Sequence, residues 1–267
     1  MNSSDYEALD GGAVAVALGD LAGAFALEIL PECDSTNSRL LESPPPDDGR
    51  IAVLAADRQT AGRGRRGRAW QSWPGAGLTF SVLWRFAPGG AVPAGLSLVV
   101  GLAVARTLEE LGVEGVQLKW PNDVLIHGRK IAGILVELTS GRGRTSAAVI
   151  GIGINLRLPP EAAVEYPTGV TDLAACLTSP PSPSRLLGLL LVQLSGLLDL
   201  YAAAGFTALR GAWQQRNAFA HLPVRIVGEG EALAGTCIGV DDDGALLLRT
   251  PTGLSRVLSG EVSLRLA

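Results

Sequence analysis

An α+β architecture, a mixed sheet flanked by helices with a small β-barrel at its C-terminal end, is what this sequence predicts. Three observations carry the prediction. Short strand-type apolar runs recur at 51–57, 78–85, 116–126, 131–137 and 148–156. Leu186, Leu187, Leu190, Leu191, Leu194, Leu197 and Leu198 fall at helical spacing and mark a long helix over 184–204. Beyond Ala218 the texture changes to short runs broken by Gly-Glu-Gly, Asp-Asp-Asp-Gly and Pro-Thr-Gly turns, the spacing of a small barrel.

The bulk numbers narrow the function classes. At 267 residues with 47% hydrophobic and 18% charged residues, the chain has ample material for a buried core and is not a solvating, disordered polymer. A net charge of −4 and a pI near 5.3 argue against bulk nucleic-acid or anionic-membrane binding, so any basic site is a focused one. Three scattered cysteines and two histidines form no zinc spacing and point to a reducing, cytoplasmic compartment. The acidic N-terminus does not read as a signal peptide, and Asp20 and Glu28 interrupt the apolar segment near 13–30, which rules against a membrane span there.

In chain order, residues 1–30 form an N-terminal extension with a short Ala/Leu helix. Asp34-Ser35-Thr36-Asn37 offers successive N-capping residues ahead of a short helical pattern. A plain helix cap accounts for them taken alone; the functional reading has their hydroxyl and amide groups hydrogen-bonding a small polar ligand. Ser43 to Gly49 is a Pro/Asp surface loop. The strand from Ile51 feeds Gln59-Thr60-Ala61-Gly62-Arg63-Gly64-Arg65-Arg66-Gly67-Arg68, followed by Trp70. Glycines free of Cβ let backbone amides approach an anion, four guanidinium forks surround them, and Trp70 offers a face for a base or sugar. The Gly-x-Gly-x-x-Gly pattern is not a dinucleotide fingerprint, because Gln71-Ser72-Trp73-Pro74-Gly75 cannot open the helix that fingerprint requires. A solvated basic loop remains the bland competitor.

A core helix over 95–111 ends at Gly112. The strand from Val116 must bend at Trp120-Pro121, aiming Lys119, Asn122 and Asp123 toward a pocket. His127-Gly128-Arg129-Lys130 reads as a hairpin turn into the strand from Ile131, with Lys130 at the junction. In 148–156 the residues Ile150, Ile152, Ile154 and Leu156 share a core face, while Gly151, Gly153 and Asn155 share the other, a bare surface with room for something pressed against it. Close helix-on-sheet packing competes for those two glycines. No histidine, nucleophile triad or metal cluster joins these pieces, so the chemistry they suit is holding two anionic substrates together and neutralising charge.

In this order, Asp34–Asn37, the 59–68 loop, Lys119-Trp120-Pro121-Asn122-Asp123, Arg129-Lys130-Ile131-Ala132-Gly133 and Gly151-Ile152-Gly153-Ile154-Asn155 resemble the successive blocks of the biotin protein ligases. The resemblance implies a catalytic domain over 31–219, like those of the biotin/lipoate ligases and class II aminoacyl-tRNA synthetases, and an SH3-like barrel over 220–267. It implies that biotin's carboxylate attacks the α-phosphate of ATP, with Mg2+, and that a lysine of a biotin carboxyl carrier protein, as in acetyl-CoA carboxylase, then displaces AMP. By matching position Ser35, Thr36, Asn37, Gln59, Gly62, Arg63 and Gly64 would bind biotin. Arg66, Arg68, Trp70, Lys119, Asn122, Asp123 and Asn155 would hold ATP or the adenylate, and Lys130, Arg65 and Asp123 would be catalytic, with Lys130 and Arg65 also on biotin. Some family members carry an N-terminal DNA-binding domain; residues 1–30 are too few for one, so operator binding is not expected. A homodimer through edge strands is possible in this architecture. Lipoate or octanoate ligation and a nucleic-acid-binding barrel are the alternatives, the latter opposed by Glu229, Glu231 and Asp241 to Asp243.

Overall fold

The computed structural model describes residues 7–86, 94–141, 144–159, 162, 169–228, 233–259 and 262–267. Glu229 and Glu231 of the Gly-Glu-Gly turn region therefore lie outside the described residues, as do residues 160–161 and 163–168.

The chain opens with helix α1 (Gly11–Leu18), capped by Asp10, whose carboxylate accepts the Ala13 amide at 2.7 Å. After a 3-10 stretch comes β1 (Phe25–Cys33), a strand where the sequence suggested only a helical extension. Pairing decides this segment: Phe25 to Cys33 runs parallel to β2 (Ile51–Gln59), in register Phe25↔Ile51 to Cys33↔Gln59. Between them lies α2 (Thr36–Glu42). Then follow β3 (Gly77–Arg85), α3 (Leu96–Glu110), β4 (Val116–Lys119), β5 (Asp123–Ile126), β6 (Arg129–Gly141) and β7 (Arg144–Asn155). Helices α4 (Leu173–Cys176), α5 (Pro183–Ala204) and α6 (Thr207–Gln214) precede the last strands, β8 (Pro223–Gly228), β9 (Leu233–Val240), β10 (Leu246–Thr250), β11 (Gly253–Val257) and β12 (Val262–Leu266).

Residue contacts divide the chain into two compact units. The first, 1–92 with 130–193, contains the strand order β1-β2-β3-β7-β6, parallel at its first pair and antiparallel at the rest, which makes the sheet mixed. On one face α2 packs Leu40 against Ala52, Leu54, Leu83, Ala147 and Val149. On the other, Ile150, Ile152 and Ile154 of β7 are fully buried, worth about 1.5–3 kcal/mol each by apolar transfer.

The second unit, 93–129 with 194–267, holds α3, the β4–β5 hairpin, α6 and a separate antiparallel sheet in the order β11-β10-β9-β8-β12. Among the described residues that sheet is open: no ladder joins β11 to β12, so the expected barrel is SH3-like in strand content without closing. Helix α5 is long and apolar enough to cross a membrane by composition, but its leucines 186, 187, 190, 191, 194, 197 and 198 are all buried, as in a core helix.

Candidate active site

The site in the first unit is laid out along one strand. Residues of β7 that share the α2 face meet a different partner at each step. Val149 lies under Leu40. A Cβ on Gly151 would come within 2.3 Å of the Asn37 carboxamide oxygen, and one on Gly153 within 2.4 Å of the Trp70 indole. Asn155 closes the row. The glycines are bare because two side chains press onto the strand there: Asn37 belongs to α2, so close helix-on-sheet packing accounts for Gly151 as well as Val149, whereas Gly153 is covered by Trp70, which no helix carries.

The α2 end is a buried polar cluster. Ser35 caps the helix, accepting the Ser38 amide. Gln59 Oε1 accepts from the Thr36 amide at 2.8 Å and from Thr36 Oγ1 at 3.1 Å. Ser81 Oγ stands 2.6 Å from Thr36 Oγ1 and 2.5 Å from Asn37 Oδ1. A hydroxyl has one proton, so Ser81 can satisfy only one of those two oxygens at a time. With the Thr36 proton spent on Gln59, one of the Thr36 and Asn37 oxygens is left short of the Ser81 proton, which a ligand N–H can supply. Every member is nearly buried, Ser81 completely.

The arginine–glycine segment is a hairpin. Arg63 and Ala69 form an antiparallel bridge, the Trp70 amide donates to Gly62 O at 2.8 Å, and the Gly64 amide donates to Arg68 O at 2.7 Å. A Cβ on Gly62 would sit 2.5 Å from the Trp70 carbonyl, so glycine is required there. The turn is made by Arg66 and Gly67, both left-handed at φ 61° and 67°. The amide of Gly64 thus serves the hairpin, where the sequence suggested it would face a ligand. Arg66 and Arg68 are exposed, Arg65 half-buried. Arg63 forms a bidentate ion pair with Glu137, at 3.0 and 2.7 Å.

Trp70, delivered by that hairpin, lies over Gly153 with the Lys130 ammonium 5.7 Å from its ring centroid. Lys130 is held by its backbone: its amide donates to Gly169 O and its carbonyl accepts from the Thr171 amide. Asn155 Nδ2 donates to Thr171 O at 2.9 Å and Lys130 O at 3.4 Å. The amide of Asn155 therefore steadies the Lys130 segment. Behind α2, the Arg39 guanidinium at 2.7 Å lowers the pKa of Asp34, and burial raises that of the Cys33 thiol.

Lys119, Asn122 and Asp123 belong to the second unit. Lys119 is 4% exposed, 3.5 Å from Asp123, with its ammonium over Phe219. Trp120 between them is buried and donates from Nε1 to Gly244 O at 3.0 Å. The parallel bridge of Leu118 to Asn217 fixes the strand that carries Lys119.

Ser81, Glu137 and Thr171 were not singled out from the sequence. Ser81 and Thr79 show as polar residues inside an apolar strand, a signal that a buried polar partner exists; Glu137 and Thr171 carry no comparable mark.

A mixed sheet whose glycine-bared strand supports a buried polar cluster, an arginine hairpin and a lysine beside a tryptophan is the arrangement that the resemblance to acyl-adenylating ligases of the biotin and lipoate kind implies. Residues 31–155 match the Biotin/lipoate A/B protein ligase family and residues 223–265 the Biotin protein ligase C terminal domain; the chain belongs to the biotin protein ligase family. It is 37% identical over 257 residues to the Bifunctional ligase/repressor BirA of Escherichia coli, covering 94% of this chain and 77% of that one. It is also 37% identical over 242 residues to the Biotin--[acetyl-CoA-carboxylase] ligase of Paracoccus denitrificans, covering 88% and 98%. Its fold matches the biotin protein ligase from Aquifex aeolicus in complex with biotin and ATP, with TM-score 0.78, 33% identity and coverage of 90% and 99%.

Proposed function

We infer that this chain is an ATP-dependent biotin ligase that makes biotinyl-5′-AMP and transfers the biotinyl group to a lysine of a biotin carboxyl carrier protein, such as that of acetyl-CoA carboxylase. The observation that carries the reading is the row along β7, which sets a donor-hungry polar cluster, an aromatic platform and a lysine in sequence. The cluster of Thr36, Asn37, Gln59 and Ser81 suits the cyclic urea of biotin, whose N–H groups can supply the missing donor. Trp70 over Gly153 suits a stacked adenine.

The reaction balances with these groups. A biotin carboxylate oxygen attacks the α-phosphorus of ATP, the bond to the bridging oxygen breaks, and pyrophosphate leaves. The ammonium of Lys130 screens two anions as they approach, and Arg65 and Arg66 help retain the mixed anhydride. The carrier lysine, as free amine, then attacks the anhydride carbonyl; AMP leaves and a proton is released. Among the described residues no group of three or more His, Cys, Asp or Glu side chains forms a metal cage. Magnesium would enter with ATP and supply charge neutralisation at its phosphates, and by family resemblance Asn122 and Asp123 would serve the nucleotide and metal side. The three free cysteines fit a cytoplasmic setting.

The test is to supply purified protein with ATP, magnesium and biotin, measure pyrophosphate exchange, and weigh an added carrier domain. Biotin-dependent exchange and a carrier heavier by one biotinyl group are expected. Exchange that responds to lipoate or octanoate and not to biotin would overturn the substrate assignment.

A further inference from the structure

We propose that Glu137 is a positioning residue for the biotin end of the reaction, a strut that ties the arginine hairpin to Asn37 and thereby sets which atom Asn37 shows to the ligand. Glu137 lies on β6 opposite Val149, two residues on from Leu135, which stands opposite Gly151; its side chain is therefore on the α2 face of the sheet. Its two carboxylate oxygens take three donors: Oε1 accepts from Arg63 Nη1 at 3.0 Å, and Oε2 accepts from Arg63 Nη2 at 2.7 Å and Asn37 Nδ2 at 2.8 Å.

Two consequences follow. The planar fork of Arg63 is spent on Glu137, because a guanidinium engaged edge-on with one carboxylate cannot present the same edge to another. Arg63 is thus a fixed limb of the hairpin, bridged to Ala69, with Arg65 and Arg66 beyond it at the turn and Arg68 on the returning limb. The second consequence concerns Asn37. With Nδ2 drawn to Glu137 and to Leu135 O at 3.3 Å, its Oδ1 must point into the buried cluster, toward Ser81. A negative acceptor on one side of the carboxamide decides that an acceptor faces the pocket on the other. The bare Cα of Gly151 leaves the space in which this orientation fits.

Glu137→Gln is isosteric and has the wrong polarity: its amide nitrogen must face at least one of the three donors. It should raise the KM for biotin about tenfold or more, the scale of one lost charged hydrogen bond. It should also let the adenylate escape to label bystander lysines, with the KM for ATP unchanged and the melting temperature near the parent's. Arg63→Ala probes the same strut from its exposed end, and the double variant should be no worse than the poorer single one. Unaltered biotin KM and no bystander labelling in Glu137→Gln would overturn the proposal, as would losses in the two singles that multiply in the double. The inference rests on the ligase reading, and parental exchange measured alongside separates the two: no biotin-dependent exchange sinks the ligase reading, whereas normal exchange with an unaffected Glu137→Gln sinks only the strut.

Discussion

Gly153→Ala is the sharpest test of the platform formed by Trp70. Gly153 lies in the middle of β7, paired with Thr79 on one side and Gly133 on the other, so its backbone cannot retreat. Its φ is not in the left-handed region, and alanine is compatible with the strand itself. A Cβ there would lie 2.4 Å from both Cε2 and Cζ2 of the indole and 2.9 Å from Nε1, an ångström inside van der Waals contact. The ring is half-buried at the end of a hairpin, so it is the part that moves. If adenine stacks on that ring, displacing it removes about 1–3 kcal/mol of base–aromatic stacking, roughly a 5- to 150-fold rise in the KM for ATP in pyrophosphate exchange. The polar cluster meets β7 at Gly151, two residues before Gly153, and the KM for biotin should hold. The decisive comparison is a cycle with Trp70→Ala. When the methyl group has already evicted the indole, deleting the indole should cost nothing more, and the double variant should match the poorer single one. Multiplying losses, or an ATP KM untouched in Gly153→Ala, would refute the platform.

Three further outcomes are expected. Lys130→Ala should slow adenylate formation about 100-fold or more in pyrophosphate exchange, the usual worth of one electrostatic stabiliser, while the backbone bonds to Gly169 and Thr171 keep the strand in place. Trp120→Phe should lower unfolding free energy in urea by about 1–3 kcal/mol, by stranding the buried Gly244 carbonyl that now accepts from Trp120 Nε1. Tyr201, buried with its hydroxyl on Ala94 O, has its pKa pushed up by burial to about 12. Folding favours the neutral phenol, so its contribution to stability is complete below the ordinary tyrosine range near 10 and is lost as pH rises toward about 12. Phenolate absorbance during an alkaline titration should show one of the chain's 3 tyrosines ionising last, and Tyr201→Phe should abolish that step.

Much of this was legible because strand periodicity is a local property. The split of β7 into an isoleucine face and a glycine face appears in the order of residues 150–156, and the structure places each face as the alternation requires. The capping run at 34–37, the hairpin turn before Lys130 and the long leucine helix over 184–204 are local in the same sense. Strand β1 was hidden, since nothing within Phe25–Cys33 says that it pairs with Ile51–Gln59; only the partner supplies that. Glu137 was hidden for the same reason: a lone carboxylate on a strand acquires meaning from Arg63, 74 residues earlier.

The same distinction changes what the arginine–glycine segment means. Read as a string, 62–68 is a flexible basic ribbon whose glycines expose amides to an anion. Folded, two of its amide–carbonyl pairs close a hairpin, one arginine is committed to Glu137, and the left-handed pair Arg66–Gly67 forms a tip that projects exposed guanidinium groups. A ribbon would have to lose its entropy anew at every turnover. A hairpin anchored at Arg63 and Trp70 has already lost most of it, so only the tip has to move. Substrate capture then acts on a few residues between two fixed ends. On that basis limited proteolysis with and without biotin plus ATP should change cleavage after Arg65 and Arg66 while leaving cleavage after Arg63 as it was; protection spread evenly over all the arginines of the segment would mean that the whole ribbon folds at once and that the Glu137 anchor is not rigid.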